Sequence, residues 1–129
     1  MVHHDKPVFV RTDSFAIKAA LGNLIENAIK HTRPGTSVQL RVTDRPSIEV
    51  IDSGPGIPLE HRTKVFERFW RTDRSGIGAG LGLAMVDQIM KALQGSVSVG
   101  EAPGGGALFT LIFPQTAVAS EPIQMSRLA

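Results

Sequence analysis

The residues with chemistry to offer in this chain are two asparagines one helical turn apart, an aspartate closing an alternating segment, and two clusters of glycine. The asparagines lie in residues 23–32, which read NLIENAIKHT. At about 100° per residue, Glu26, Lys30, Asn23, Asn27 and His31 share one arc of a helix. Leu21, Leu24, Ile25 and Ala28 take the other side, with Ile17 a turn earlier. The plain reading of such an arc is a solvated face. Yet a pair of asparagines is a poor choice for helix propensity alone, and the arc presents amides, a lysine and an imidazole together.

Asp52 ends an alternating segment and begins Asp-Ser-Gly-Pro-Gly. One role for it is an Asx turn or a cap. The other is to accept a hydrogen bond from an exocyclic amine at the bottom of a pocket. Adenine offers an amine there and guanine a carbonyl, and two facing acceptors cost free energy, so an aspartate would choose ATP over GTP. A second cluster, Gly76-Ile77-Gly78-Ala79-Gly80-Leu81-Gly82, opens a helix, where free N–H groups and the dipole favour phosphate. Glycine allows the backbone such close approach. Neither cluster is a familiar phosphate motif. There is no G-x-x-x-x-G-K-[ST], and G-x-G-x-x-G fails because its sixth position is Leu59 in the first cluster and Leu81 or Leu83 in the second. A P-loop or Rossmann enzyme is not expected on that ground.

The elements that must hold these residues follow from periodicity. A strand is expected in residues 7–10, then a helix over 14–31 with Thr12, Asp13 or Ser14 as its cap. Thr32-Arg33-Pro34-Gly35 stops that helix. Residues 37–43 and 47–52 alternate apolar and polar around Asp44-Arg45-Pro46 and form a hairpin. Residues 59–69 hold a short helix ending in Phe66, Phe69 and Trp70, and residues 72–80 read as a mobile loop. A second helix is expected from about Leu81 to Leu93, with Gly95 at C′. Strands at 96–99 and 107–113 make a last hairpin, and residues 115–129 a frayed tail. The expected fold is α+β: a sandwich of one mixed, mostly antiparallel five-stranded sheet with about three helices on one face.

Composition fits a single domain. The chain has 129 residues, 42% hydrophobic and 20% charged, with a formal charge of +2. So small an excess of base, with no basic run interleaved with aromatics, argues against a nucleic-acid partner. The absence of cysteine excludes disulfides, thiol nucleophiles and cysteine-bound zinc. No apolar stretch reaches the roughly 18 residues of a membrane span, so direct membrane contact is not expected. The expected location is cytoplasmic, with a membrane-anchored parent protein left open. His3 and His4, on a short leader, are assigned no chemistry.

Taken in order, NLIENAIKHT, DSGPGIP, FERFWR, GAGLGLAMV and GGGALFTLIFP resemble the ATP-binding catalytic domain of bacterial sensor histidine kinases. They stand at that family's N box, first glycine box, F box, second glycine box and final strand. The resemblance runs from about Pro7 to Pro114 and implies a Bergerat-type ATP-binding fold, with ATP and Mg²⁺ as cofactors. It makes Asn27 the Mg²⁺ ligand and puts Lys30 on phosphate. Asp52 takes the adenine amine, Gly54 and Gly56 shape the pocket floor, and Ile57 helps wall it. Gly78, Gly80, Leu81, Gly82 and Leu83 wrap the phosphates. Phe66 and Phe69 are lid anchors or plain core aromatics. Arg71 either reaches the γ-phosphate or stays a surface arginine, and His31 packs on the nucleotide.

The chain departs from the family pattern in places. Few residues separate the F box from the second glycine box, and Ala107 stands where related ATPases place a threonine near adenine. Dimerisation helices with the phospho-acceptor histidine should precede the domain, and the residues before Pro7 are too few to form them. An excised domain, or one acting in trans, is therefore expected. Its partners would be that dimerisation and histidine phosphotransfer domain and, downstream, a response regulator. Hydrolytic relatives and anti-sigma serine kinases carry glutamate where this chain has Asn23, and a carboxamide cannot take a proton from water at neutral pH. Asn23 thus favours phosphotransfer in two-component signalling. The rivals are an anti-sigma-type serine kinase and an ATP-sensing module that transfers nothing.

Overall fold

A computed structural model describes residues 2–3, 9–11, 13–70, 81–114 and 122–124. Helix α1, Ser14–His31, has the bounds its pattern predicts. Asp13 caps it, its carboxylate accepting from the N–H groups of Phe15 (2.9 Å) and Ala16 (3.3 Å). The cap satisfies two of the donors that every helix start leaves open. Ile17, Leu21 and Leu24 are all but completely buried. Each contributes about 1.5–3 kcal/mol by leaving water.

The described residues form seven strands: β1 (Val2–His3), β2 (Phe9–Arg11), β3 (Gln39–Thr43), β4 (Ser47–Ile51), β5 (Ser96–Glu101), β6 (Ala107–Ile112) and β7 (Pro122–Gln124). The main sheet runs β1-β3-β4-β6-β5, antiparallel except that β1 adds in parallel along β3. The leader is thus paired with β3 in part, Val2 opposite Leu40 and His3 opposite Arg41. Period two settles which side each residue takes. Leu40, Val42, Ile48, Val50, Phe109 and Leu111 turn inward and join Ile17, Leu21 and Leu24 of α1 with Val86 and Met90 of α2 (Gly82–Ala92) in one core. On the other face Arg41 Nε donates to Glu49 across the β3–β4 pair at 2.8 Å.

Three local expectations change. Residues 59–69 form two single 3₁₀ turns, Leu59–His61 and Lys64–Phe66, instead of one helix. Val65 is buried and Phe66 packs on the core, while Leu59 and Phe69 stay exposed, and so little apolar contact does not sustain a continuous helix. Part of the expected frayed tail is strand: β7 pairs antiparallel with β2, Phe9 opposite Gln124 and Arg11 opposite Pro122. Each segment supplies the other's backbone partners, which the hydropathy of either alone does not reveal. At the end of α2 the left-handed residue is Gln94 (φ +62°), and Gly95 is the residue after it. The N–H of Gly95 bonds Met90 O (2.8 Å) and that of Gln94 bonds Lys91 O (3.0 Å), a Schellman pair. Gly95 is small for another reason: a β-carbon there would run into the carbonyl of Ile112. The expected mobile loop, 72–80, lies outside the described residues.

Candidate functional site

Because β4 and β6 are neighbours, the end of β4 meets the start of β6, with Ile51 opposite Leu108. One step further, Asp52 and Ala107 complete the ladder: the Asp52 N–H donates to Ala107 O at 3.0 Å. The Asp52 side chain turns back onto the same backbone. Its Oδ1 accepts from the N–H of Ala107 (3.0 Å) and the N–H of Gly54 (2.9 Å). The residue is 5% exposed, so a buried carboxylate is held in place by two charge-assisted bonds. Both described bonds fall on Oδ1, leaving Oδ2 to receive a further donor.

Glycines let three backbone segments converge there. A β-carbon on Gly106 would overlap the Asp52 carbonyl and lie 3.0 Å from Oδ1. One on Gly54 would overlap the carbonyl of His31, the last residue of α1. Gly56, at φ +77°, adopts a conformation side chains resist, and its β-carbon would meet the Gly105 carbonyl at 2.6 Å. The loop after Asp52 is thereby clamped between the end of α1 and the 102–106 turn. The expected floor residues Asp52, Gly54 and Gly56 come together with Ile57, which packs against the core.

From the polar arc of α1, Asn23 faces the start of α2. Asn23 Nδ2 donates to Ala19 O (3.0 Å) and lies 3.6 Å from Met85 Sδ, and its Oδ1 would be 3.5 Å from a β-carbon on Gly82. Among the described residues no side chain caps α2 at Leu81, and Leu83 packs partly against the core. Uncapped N–H groups at a helix start suit an anion. Asn27 is half-buried, a turn beyond Asn23, and Lys30 and His31 are exposed at the helix end. Among the described residues no three His, Asp or Glu side chains gather as a metal site, so any cation here would depend on amide oxygen, water and its ligand.

The aromatic pair divides. Phe66 meets Phe109 edge to face, centroids 6.2 Å apart, and is a core residue. Phe69 is 68% exposed with φ +65°. Arg71, Gly78 and Gly80 lie outside the described residues. Sequence reasoning did not single out Gly106, the Ala107 N–H or Met85 for the site. The signal for the first was available: Gly104-Gly105-Gly106 is one glycine more than a hairpin turn demands.

Residues 12–117 match the family described as histidine kinase-, DNA gyrase B-, and HSP90-like ATPase. The chain is 41% identical over 106 residues to a probable sensor histidine kinase, TcrY, of Mycobacterium tuberculosis, an alignment covering 77% of this chain and 22% of that protein. The mycobacterial sensor histidine kinase MprB superposes with a TM-score of 0.74 at 30% identity, covering 91% of this chain and 84% of that one. Full-length ShkA in complex with AMPPNP gives a TM-score of 0.68 at 37% identity, covering 81% and 22%. The chain thus spans about a quarter or less of the curated relatives TcrY and PmrB, at 22% and 25% of their lengths.

Proposed function

The chain belongs to the histidine kinase-, DNA gyrase B- and HSP90-like ATPase family, and we propose that it binds Mg·ATP and presents the γ-phosphate to a histidine on a separate dimerisation domain. The observation that supports this reading is the buried Asp52 carboxylate, pinned through Oδ1 by the N–H groups of Gly54 and Ala107, which leaves Oδ2 with acceptor capacity for an incoming donor. The adenine amine is such a donor. Its recognition needs no threonine at position 107, where this chain has alanine.

In phosphoryl transfer the protein mainly positions groups and neutralises charge. The uncapped start of α2 suits the phosphates, with Lys30 at the end of α1 as a point charge. The half-buried Asn27 amide fits a Mg²⁺ ion that keeps most of its ligands from phosphate and water. When bound, that ion would offset phosphate charge, and Asn27 would orient it. Asn23 acts differently. Its Nδ2 is already directed to Ala19 O and Met85 Sδ, which supports a brace between α1 and α2 rather than an acid or base. With no carboxylate at that position, water is not activated, and the phosphate waits for an acceptor.

Labelled ATP tests this. The chain alone should release phosphate slowly and form negligible acid-labile phosphoprotein. Adding a protein that carries the parent kinase's dimerisation helices should label that partner's histidine, which a response regulator would then accept. Brisk hydrolysis by the chain alone would move it to the ATPase branch of the family, and labelling of a partner's serine to the anti-sigma type.

A further inference from the structure

Residues 53–58 belong to no strand or helix, yet on the nucleotide reading they are the floor and wall of the pocket. Three of their restraints are made near Asp52: Gly54 N–H on Asp52 Oδ1, and the close approaches of Gly54 to His31 and of Gly56 to Gly105. The fourth comes from the turn that follows. Arg62 Nε donates to the carbonyl of Ile57 at 3.0 Å in a half-buried position. Arg62 is the residue that ends the Leu59–His61 turn. Its guanidinium therefore reaches back across its own turn and ties that turn to the pocket wall.

The segment holding Arg62 is itself fixed to the core. Val65 is buried, Phe66 stands edge-on to Phe109, and His61 stands edge-on to Trp70 with centroids 5.1 Å apart. Phe69 lies between these contacts in the left-handed region, a conformation a bulky residue holds only when its surroundings fix it. We propose that Arg62 is a positioning residue for the nucleotide: through the Ile57 carbonyl it makes the pocket wall and the 59–66 turns one body, so that filling the pocket steadies both. A guanidinium bond to a carbonyl is charge-assisted and stronger than a neutral one. The loop offers no ladder partner to take its place. This inference rests on the nucleotide reading above and extends it to a residue that does not touch the ligand.

The test uses the whole chain and its Arg62→Met, Arg62→Lys and Asp52→Asn variants. Calorimetry gives the Kd for Mg·ATP, and amide exchange with and without Mg·ATP follows residues 54–66. Arg62→Met should weaken ATP five- to tenfold. Its melting temperature without nucleotide should fall little, because the bond is partly solvated. Protection gained on ATP binding should persist at 54–57 in this variant and be lost at 59–66. Arg62→Lys keeps a donor and should recover part of both effects. A merely structural arginine would lower the melting temperature and leave the pattern of ligand-induced protection unchanged. If Arg62→Met binds ATP as the parent does, or gains full protection at 59–66, the inference is overturned. If Asp52→Asn also leaves ATP binding unaltered, or if the parent binds no ATP, the nucleotide reading fails and takes the inference with it.

Discussion

Gly106 and Gly95 do the same mechanical job at opposite ends of β6 and serve different ends. At the first, the missing β-carbon lets the chain lie against the Asp52 carbonyl; at the second, it lets the exit from α2 lie against the Ile112 carbonyl. Around Gly95 the other close atom is a methionine methyl, Met90 Cε at 2.9 Å. Around Gly106 it is a buried carboxylate oxygen. A close-approach glycine is therefore a device for joining backbone to backbone. It marks a site only where the joint holds a polar group with bonding capacity to spare, and Asp52 is such a group.

Substituting the two glycines should show what they share. Gly106→Ala forces backbone against backbone with nothing flexible to yield, and should cost about 3 kcal/mol or more in a denaturant titration. Gly95→Ala meets one carbonyl and one movable methyl, and should cost about 1–3 kcal/mol by the same measurement. Ligand binding should then separate the ends. Gly95→Ala, assayed well below its melting temperature, should keep its Mg·ATP affinity. If it lost that affinity as Gly106→Ala does, the distinction between a structural end and a functional end would collapse.

Asn27→Ala sharpens the contrast from within α1. Its amide is half-buried on the polar arc, not in the core, so the nucleotide-free melting temperature should barely move. Mg²⁺-dependent ATP affinity should fall at least tenfold, about 1.4 kcal/mol, in calorimetric titrations with and without the metal. The smallest effect belongs to Gln94→Gly. Gln94 holds φ +62°, so glycine there should stabilise by roughly 0.5–1 kcal/mol and leave ATP binding unchanged. Destabilisation by that change would mean that the Gln94 side chain contributes more than its backbone strain removes.

Much of this was legible in the chain, for physical reasons. The apolar stripe of Ile17, Leu21, Leu24 and Ala28 fixes α1 because those positions repeat at the helical period, and Asp13 fixes its start. Alternation fixes the β3–β4 hairpin and puts Asp52 at a strand end. Contacts distant in sequence were less legible. The Asp52–Ala107 bond spans 55 residues and is made by a backbone N–H, which has no residue type to announce it. The β2–β7 pair is more than 100 residues apart in sequence: a strand near Phe9 was legible, but its partner at Pro122–Gln124 has no pattern of its own. Gly95 shows a subtler limit: a glycine after a helix suggests a left-handed cap, whereas this one supplies room and its neighbour the twist.

The central claim is that Asp52 reads the base. Calorimetric titration of the chain with ATP and with GTP, each with Mg²⁺, tests it directly, with Asp52→Asn beside it. The parent should bind ATP at least tenfold tighter than GTP. Asp52→Asn, whose amide can face an amine or a carbonyl, should weaken ATP and narrow the gap by about 1–3 kcal/mol. Equal binding of the two nucleotides by the parent, or an unchanged preference in the variant, would contradict the account.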